Sequence, residues 1–240
     1  MTSPRLDPRF WRHDAYTLRL LVRSVRRFAA GWRMRSRAAA MIIDLGAGDA
    51  PYRSLFETDG ASYLSCDLDA GAEVPIAPGS PVPLESASAD LVVSFQVLEH
   101  VWDLDWYLGE ARRLLRDDGT LLLSTHGTWL YHPHPTDFRR WTRDGLIAEL
   151  TARGFEVRAI EGVVGPLAWT TQFRALGYNA MLGRIPGVGS LLSAIVCGLM
   201  YPRMWLEDRI TPRYWVDHNA AIYIVTAVKA VPGAVPGNLP

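Results

Sequence analysis

The feature that most constrains this chain is a short apolar run that ends in a carboxylate and opens into two glycines. Residues 41–49 read Met-Ile-Ile-Asp-Leu-Gly-Ala-Gly-Asp. The pattern predicts a buried strand that feeds a loop where a ligand approaches the backbone, because glycine allows unusual backbone angles and has no Cβ. The charge of Asp44 is unsuited to a phosphate, whereas it would attract a ligand with an amine or a sulfonium.

The main rival interpretation is the dinucleotide fingerprint G-x-G-x-x-G. Gly46 and Gly48 match its first two glycines, but Pro51 occupies the third position, which normally serves close packing of the helix on the strand. A phosphate-binding loop of the form G-x-x-x-x-G-K-[ST] does not occur. The loop therefore matches neither pattern in full, and the spacing of the segments that follow decides its interpretation.

Further strands follow at regular spacing. Residues 63–67 form a second apolar run that ends in Asp67, about twenty residues past the loop, where α/β folds place the acid that binds ribose hydroxyls. Buried strands are predicted at 89–95 and 119–125, and helices at 103–116 and 142–153. Alternating strands and helices predict a parallel sheet that is covered on both faces.

With these motifs the chain resembles the class I S-adenosylmethionine-dependent methyltransferases of the broad type-11 group. The matching segments are IIDLGAGDAPY (42–52), CDLD (66–69), ADLVVSFQVLEHV (89–101) and DDGTLLLSTHG (117–127). The resemblance covers roughly residues 38–160, with a last strand near 220–230. It implies an α/β, Rossmann-like fold: a seven-stranded, mostly parallel sheet with helices on both faces, an antiparallel last strand, and a helical insert between strands six and seven.

The resemblance also implies the cofactor S-adenosylmethionine and a set of residues that bind it. Asp67 would bind the ribose hydroxyls and Leu68 would lie against the adenine. The residues implied at the methionine moiety are Asp44, Gly46, Ala47, Gly48, Ser94, Phe95 and Gln96. Similar proteins usually carry an acid that contacts the adenine amine, but residues 74–81 contain none. No side chain is therefore assigned to that amine.

Two histidines are candidates for a general base, which an oxygen or nitrogen acceptor can require. His126 ends the fifth predicted strand, and a strand end is a rigid platform at the pocket, so His126 is the first candidate. His100 is the second, since it can instead cap or orient the helix that follows strand four.

The segment 131–142, Tyr-His-Pro-His-Pro-Thr-Asp-Phe-Arg-Arg-Trp-Thr, is the predicted acceptor loop. Its candidate substrate contacts are His132, His134, Asp137, Arg140 and Trp141. A metal site at His132, His134 and Asp137 is an alternative, and so is a purely structural loop in which Asp137 pairs with Arg139 or Arg140. We predict no metal. The loop pattern resembles type-11 members found with glycan or cell-envelope biosynthesis, and this analogy does not name a substrate.

The regions outside the predicted core, 38–164 and 220–230, have distinct compositions. Residues 1–37 predict a basic amphipathic helix that packs over the cofactor site or, alternatively, lies on an anionic membrane. Residues 165–219 form an apolar helical insert, in which Ile185 to Pro202 carry no charge. Glycines and prolines in this run favour a hairpin over a membrane span. A lid, a dimer face and a peripheral membrane contact remain open for it.

Composition narrows the class of partner. The formal net charge of the 240 residues is zero, so bulk attraction to nucleic acid is not expected. The two cysteines form no metal pattern, and the first ten residues lack the apolar core of a signal peptide. A cytoplasmic protein with a small-molecule or lipid-linked acceptor is expected, and membrane association remains open.

The sequence therefore predicts a methyltransferase that acts on a small or lipid-linked acceptor, with a sugar hydroxyl among the candidates. A quinone or lipid methyltransferase is the alternative enzyme. A non-catalytic, cofactor-binding interaction protein is the alternative outside catalysis, and the presence of Asp44, Gly46, Gly48 and Asp67 argues against it.

Overall fold

The computed structural model describes residues 3–35, 39–57 and 60–231. Its strands are β1 Met41–Leu45, β2 Ser62–Asp67, β3 Val74–Pro75, β4 Ala89–Phe95, β5 Leu115–His126, β6 Phe155–Val163 and β7 Ile222–Lys229. Its α-helices are α1 Ala15–Arg33, α2 Arg53–Phe56, α3 Leu104–Leu114, α4 Arg143–Ala152, α5 Pro166–Leu182, α6 Gly189–Ile210 and α7 Arg213–His218. A 3-10 turn spans Leu98–His100.

The seven strands form one sheet in the order β3-β2-β1-β4-β5-β7-β6. Strand β1 pairs in parallel with β2 and β4, and β4 pairs in parallel with β5. Strand β7 is antiparallel to both β5 and β6. The carboxyl ends of β1, β2, β4 and β5 therefore lie along one edge, and the chain order reverses between β1 and β4. The predicted fold class is confirmed.

The sequence also predicts a short strand near 73–77 and a sixth strand at 154–158, and three observed strands differ in length from the prediction. Strand β3 has only two residues, because this edge segment is rich in proline, which cannot donate to a ladder. Strand β5 begins at Leu115 directly after α3. Strand β6 continues to Val163, because it pairs with β7 along this length.

The two faces of the sheet bury alternate residues of the same strands, as a period of two requires. Ile42 faces a cluster that includes residues of α1, and Ile43 faces a cluster that includes residues of α3 and α4. Both side chains are fully buried. The core therefore consists of two apolar layers, one on each face of the central sheet. The loops lie at the edge formed by the carboxyl ends of the strands.

Helix α1 packs its apolar side on the sheet. Leu21, Val25 and Ala29 are buried in the same cluster as Ile42. Tyr16 at the start of the helix donates a hydrogen bond to Asp208 of α6 at 3.0 Å. The predicted boundary between residues 37 and 38 lies outside the described residues, and the domain limits stay predictions.

Helices α5 and α6 form an antiparallel hairpin in the predicted insert, joined by residues 183–188. Within the described part of the chain, no helix is long and apolar enough to cross a membrane. The cysteines Cys66 and Cys197 are both buried and free.

Candidate active site

The loop after β1 contains two glycines, and each position requires glycine for a different physical reason. Gly46 has a φ of +76°, and a Cβ at this position would lie 2.6 Å from both methyl groups of Val97. Its amide donates to the Cys66 carbonyl at 2.8 Å, and so does the amide of Ala47 at 3.1 Å. Gly46 is therefore required by packing between the ends of β1 and β4.

Gly48 is required by its backbone angle and leaves space beside it. Its φ is +54°, and a Cβ at this position would have no atom of the described residues within 4 Å. The Gly48 amide donates to Asp67 Oδ2 at 2.7 Å. This bond fixes the carboxylate at the end of β2 beside the loop, and Leu68 next to it is about half exposed. A ribose and its base could reach these groups without displacing a side chain.

Asp44 lies beneath this loop and is almost fully buried. The Tyr63 hydroxyl donates to its Oδ2, while Oδ1 has no hydrogen-bond partner among the described residues. Burial raises the pKa of Asp44 to about 7, against the opposing effect of the Tyr63 bond. An unsatisfied buried oxygen is costly, so Asp44 is suited to a donor group supplied by a ligand.

Gln96 provides a second unsatisfied acceptor at the end of the neighbouring strand. It has a φ of +57°. Its side-chain nitrogen donates to Ser124 Oγ at 3.0 Å, and its Oε1 has no partner in the described structure. The oxygens of Asp44 and Gln96 thus mark the end of two adjacent strands. Both oxygens can accept a hydrogen bond and attract positive charge, so this edge of the sheet fits the ammonium and sulfonium end of S-adenosylmethionine.

The other two residues predicted on β4 have buried side chains. The Ser94 hydroxyl lies 2.7 Å from that of Tyr107, which donates to the Leu45 carbonyl at 2.9 Å. The Phe95 ring packs 4.6 Å from the Tyr52 ring, centroid to centroid. The side chains of Ser94 and Phe95 therefore hold the strand ends together, and their assignment to the cofactor stays a prediction.

A buried acid–histidine pair follows the ends of β4 and β5. Glu99 is fully buried, and its Oε1 lies 2.7 Å from Nδ1 of the buried His126. Its Oε2 accepts from the Thr125 hydroxyl at 2.8 Å. Burial alone would raise the pKa of Glu99, but the contacts with His126 and Thr125 outweigh it and lower the pKa. Glu99 is therefore a buried carboxylate that orients His126 and leaves its Nε2 for another partner.

Three histidines meet around this pair. The His132 ring lies 4.7 Å from the His126 ring and 4.9 Å from the His100 ring. His100 Nδ1 contacts the Thr136 carbonyl. Burial, together with His126, lowers the pKa of His132 to about 4, so His132 is neutral near neutral pH.

Tryptophan rings extend the cluster away from the sheet. The Trp129 ring stacks on His126 at 4.9 Å, and the Trp169 ring of α5 stacks on Trp129 at the same distance. The insert thus contributes Trp169 to the wall of the site. The result is a base candidate at one end of an aromatic stack, in which Trp129 is partly exposed and Trp169 is buried.

The proline-rich loop, residues 131–142, is stabilised by an ion pair between two of its own side chains. Arg140 makes two hydrogen bonds to Asp137, at 2.5 and 2.7 Å, and donates to the Trp129 and Leu130 carbonyls. The Arg140 guanidinium strongly lowers the pKa of Asp137. Asp137 also accepts from the His132 amide at 2.9 Å. These contacts position His132.

Of the five predicted acceptor contacts, only His132 joins the histidine cluster. His134 is exposed, Asp137 and Arg140 are paired with each other, and Trp141 is buried in the core on the α4 side. Their roles toward an acceptor stay predictions. Glu99, His100 and His132 each offer one metal-ligand atom within 4.8 Å of the others. Both oxygens of Glu99 already face Thr125 and His126, however, so this trio lacks a free carboxylate oxygen.

Sequence reasoning missed three of the site's residues. Glu99 lies just after a buried strand, which is a signal for a site residue, but the sequence does not relate it to His126. Trp129, three residues past His126, carried a weaker signal. Trp169 lies in the insert, and nothing in the sequence relates its position to the strand ends.

Comparison with known proteins agrees with this geometry. A family model described as a methyltransferase domain matches residues 10–160, more than half of the chain. A probable S-adenosylmethionine-dependent methyltransferase of Mycolicibacterium smegmatis is 38% identical over 88 residues, covering 34% of each chain. One of Mycobacterium tuberculosis is 30% identical over 131 residues, covering 48% of each. The matched region thus spans a third to a half of these curated relatives.

Solved structures share the fold at low identity. A putative sarcosine dimethylglycine methyltransferase from Galdieria sulphuraria has a TM-score of 0.56 at 12% identity, covering 89% of this chain and 88% of that one. A geranyl diphosphate methyltransferase in complex with S-adenosylmethionine has a TM-score of 0.55 at 12% identity, covering 89% and 87%. A cyclase has a TM-score of 0.55 at 17% identity, covering 86% and 81%. The fold therefore does not by itself fix the reaction.

The family model and the fold identify the same region. The match begins before α1 and ends within β6, so it contains the glycine loop, Asp67 and the Glu99–His126 pair. The family, enzyme class and cofactor that the sequence predicted are confirmed. The chain belongs to the class I S-adenosylmethionine-dependent methyltransferases.

Proposed function

We propose that this chain transfers a methyl group to a hydroxyl of a small or lipid-linked acceptor, with a sugar hydroxyl as the first candidate. The observation that carries the proposal is the buried Glu99–His126 pair beside the loop of Gly46 and Gly48. Val97 connects the two regions, because it packs against Gly46 and precedes Glu99 by two residues. A base and a cofactor loop thus share one edge of the sheet.

The chain's own residues would bind and orient both partners. Asp67 would accept hydrogen bonds from the ribose, and Asp44 and Gln96 would accept from the amino-acid end. When bound, S-adenosylmethionine supplies an electrophilic methyl group on a sulfonium. His126 Nε2 would accept the proton of the acceptor hydroxyl, and the Glu99 carboxylate would stabilise the imidazolium that forms.

The aromatic side chains next to His126 favour an acceptor with an apolar side. The Trp129 ring is stacked by both His126 and Trp169, and Trp169 is buried, so the accessible part of the stack is the partly exposed Trp129. The apolar side of a sugar ring or of an aromatic ring can pack against it. A phenolic quinone precursor or another lipid is therefore the second candidate, favoured by the apolar insert that supplies Trp169.

The proposal is tested by measuring release of the demethylated cofactor with three acceptor classes: methyl glycosides, hydroxylated quinone analogues and primary amines. We expect cofactor binding in calorimetry and turnover with a glycoside or a lipid-linked glycan. Turnover with quinone analogues alone would select the second candidate. Cofactor binding without turnover in any acceptor class would support a non-catalytic role.

A further inference from the structure

In helix α6, small residues are buried and large apolar residues are exposed, which is the reverse of the usual arrangement for a helix in water. Its buried side contains Gly189, Ser193 and Cys197, while large apolar residues lie on its exposed side. Leu192, Ile195, Leu199, Leu206 and Ile210 form that exposed stripe at spacings of three, four and seven. Apolar side chains in water favour the interior, so this stripe indicates a surface that another apolar medium covers.

The contact between α5 and α6 has the composition of helix contacts in lipid. Cys197 Sγ lies 3.8 Å from the Ala175 carbonyl, and the Ser193 hydroxyl donates to Asn179 Oδ1 at 2.8 Å. Ala175 is fully buried. Small residues and hydrogen bonds hold helices together where the surroundings are as apolar as leucine.

Apolar side chains are exposed on both helices of the hairpin and in its turn. They are Phe173, Tyr178 and Met181 on α5, Ile185 and Val188 in the turn, and Leu191, Leu192, Ile195 and Leu199 on α6. A lipid surface can contact both helices and the turn together, so this distribution favours lipid over a second copy of the chain.

The charges around the hairpin are basic. Residues 175–202 contain one charged residue, Arg184, and no acid. Arg174 and Arg203 border this stretch and are exposed, and Arg203 pairs with Glu207 one turn further along α6, at 2.7 Å. Clustered arginines beside an apolar surface attract anionic lipid headgroups.

Aromatic residues of the N-terminal segment lie at the middle of α6. The rings of Phe10 and Tyr201 are 6.4 Å apart, and both Phe10 and Trp11 approach Gly198. Phe10 and Trp11 are partly exposed, and the Arg9 guanidinium lies 5.5 Å from the Trp11 ring. Aromatic and basic side chains at the border of an apolar surface are typical of a membrane–water boundary.

We infer that the α5–α6 hairpin inserts into one leaflet of an anionic membrane without crossing it. The axis of the hairpin would run near the membrane plane, with the stripe of α6 among the outer acyl chains and with Trp11 and the arginines at the headgroups. This attachment would place Trp169, at the base of the same hairpin, and thus the acceptor site near the membrane surface. The inference is independent of the proposed reaction.

Flotation of the purified full-length chain with lipid vesicles tests the inference. We expect binding to vesicles that contain phosphatidylglycerol to exceed binding to phosphatidylcholine vesicles on the order of tenfold, and to fall at high salt. Leu199→Glu should lower binding on the order of tenfold. Met34→Glu is the matched control, since Met34 is a highly exposed apolar residue at the end of α1.

A second variant separates the charge from the apolar stripe, and a folding check excludes loss of structure as the cause of weaker binding. Arg184→Glu leaves the apolar stripe intact and should reduce binding to anionic vesicles only. Thermal unfolding and cofactor binding should match the parent in all three variants, because the replaced side chains are exposed. A parent chain that stays at the bottom of the gradient with both vesicle types would overturn the inference. So would a soluble dimer that Leu199→Glu dissociates and that does not float.

Discussion

The two ends of the candidate active site are built in different ways. At the ends of β1 and β2 the site consists of backbone amides, two glycines with positive φ, and Asp67 held by the Gly48 amide. At the ends of β4 and β5 it consists of side chains, above all the Glu99–His126 pair. The first end is local in sequence, whereas the second brings together residues from four separate segments.

This difference implies that the two ends can be disabled separately. The glycine loop and Asp67 would determine cofactor affinity, and Val97, which lies against Gly46, precedes Glu99 by two residues. The histidine cluster would determine the rate of proton removal. Variants at one end should therefore leave the property of the other end close to that of the parent.

The largest expected effect is at His126. Replacement of His126 by alanine should lower turnover by roughly 10² to 10⁴, because the acceptor proton loses its base. Affinity for S-adenosylmethionine should remain within a few-fold of the parent in calorimetry. His100→Ala is the matched control, with a smaller effect on turnover. Equal turnover in His126→Ala and the parent would mean that the acceptor needs no base.

Replacement of Asp67 should have the next largest effect, and the affected property should be the affinity for S-adenosylmethionine. Asp67→Ala should weaken the affinity by about 1.5–3 kcal/mol, because a charged group loses hydrogen bonds to two hydroxyls. Asp69→Ala is the matched control, since Asp69 lies two residues further along the chain and its carboxylate accepts from the Gly71 amide, away from the glycine loop. If both variants bind like the parent, the ribose is held elsewhere.

Glu99→Gln should sharpen the assignment of the base. The substitution keeps an oxygen for the Thr125 hydroxyl but removes the negative charge beside His126. Turnover should fall roughly tenfold or more, because the imidazolium loses its counter-charge, while cofactor affinity stays near that of the parent. Thr125→Val separates the hydrogen bond from the charge. A larger loss in Thr125→Val than in Glu99→Gln would contradict the role given to the carboxylate.

The smallest effect is a pH dependence at the cofactor end. Burial raises the folded-state pKa of Asp44 from 3.8 to about 7. The ionised form is therefore disfavoured in the folded chain, and stability contributed by the neutral form is lost as pH rises from about 4 to about 7. A cationic ligand favours the ionised form, so affinity should rise a few-fold as pH increases through about 7. Calorimetry of Asp44→Asn should show a flat profile; an equally steep profile would assign the titration to another group.

The sequence predicts the cofactor end better than the acceptor end for a physical reason. A glycine loop and a strand-end acid are fixed by backbone geometry over a few residues, so Gly48 and Asp67 can be recognised from spacing. The partner of His126 depends on how β4 and β5 pair, which brings Thr125 and His126 beside Glu99. Trp169 depends on how the insert folds back. The spacing of residues along the chain predicts neither the contact of His126 with Glu99 nor the position of Trp169.

The same limit applies to the acceptor loop and the insert. The sequence offered five acceptor contacts in residues 131–142, but Asp137 and Arg140 pair with each other and Trp141 is buried in the core. The charge-free run of the insert was visible, whereas the outward direction of its large side chains required the structure. Composition shows that a segment is apolar, and packing decides which side of it is covered.

If cofactor binding and proton removal lie at separate ends of one sheet edge, a single calorimetric titration distinguishes the two ends. S-adenosylmethionine is titrated into the parent, Asp67→Ala and His126→Ala under identical conditions. We expect affinity lowered roughly 10- to 100-fold in Asp67→Ala and close to that of the parent in His126→Ala. Parent-like affinity in Asp67→Ala together with a large loss in His126→Ala would contradict this separation.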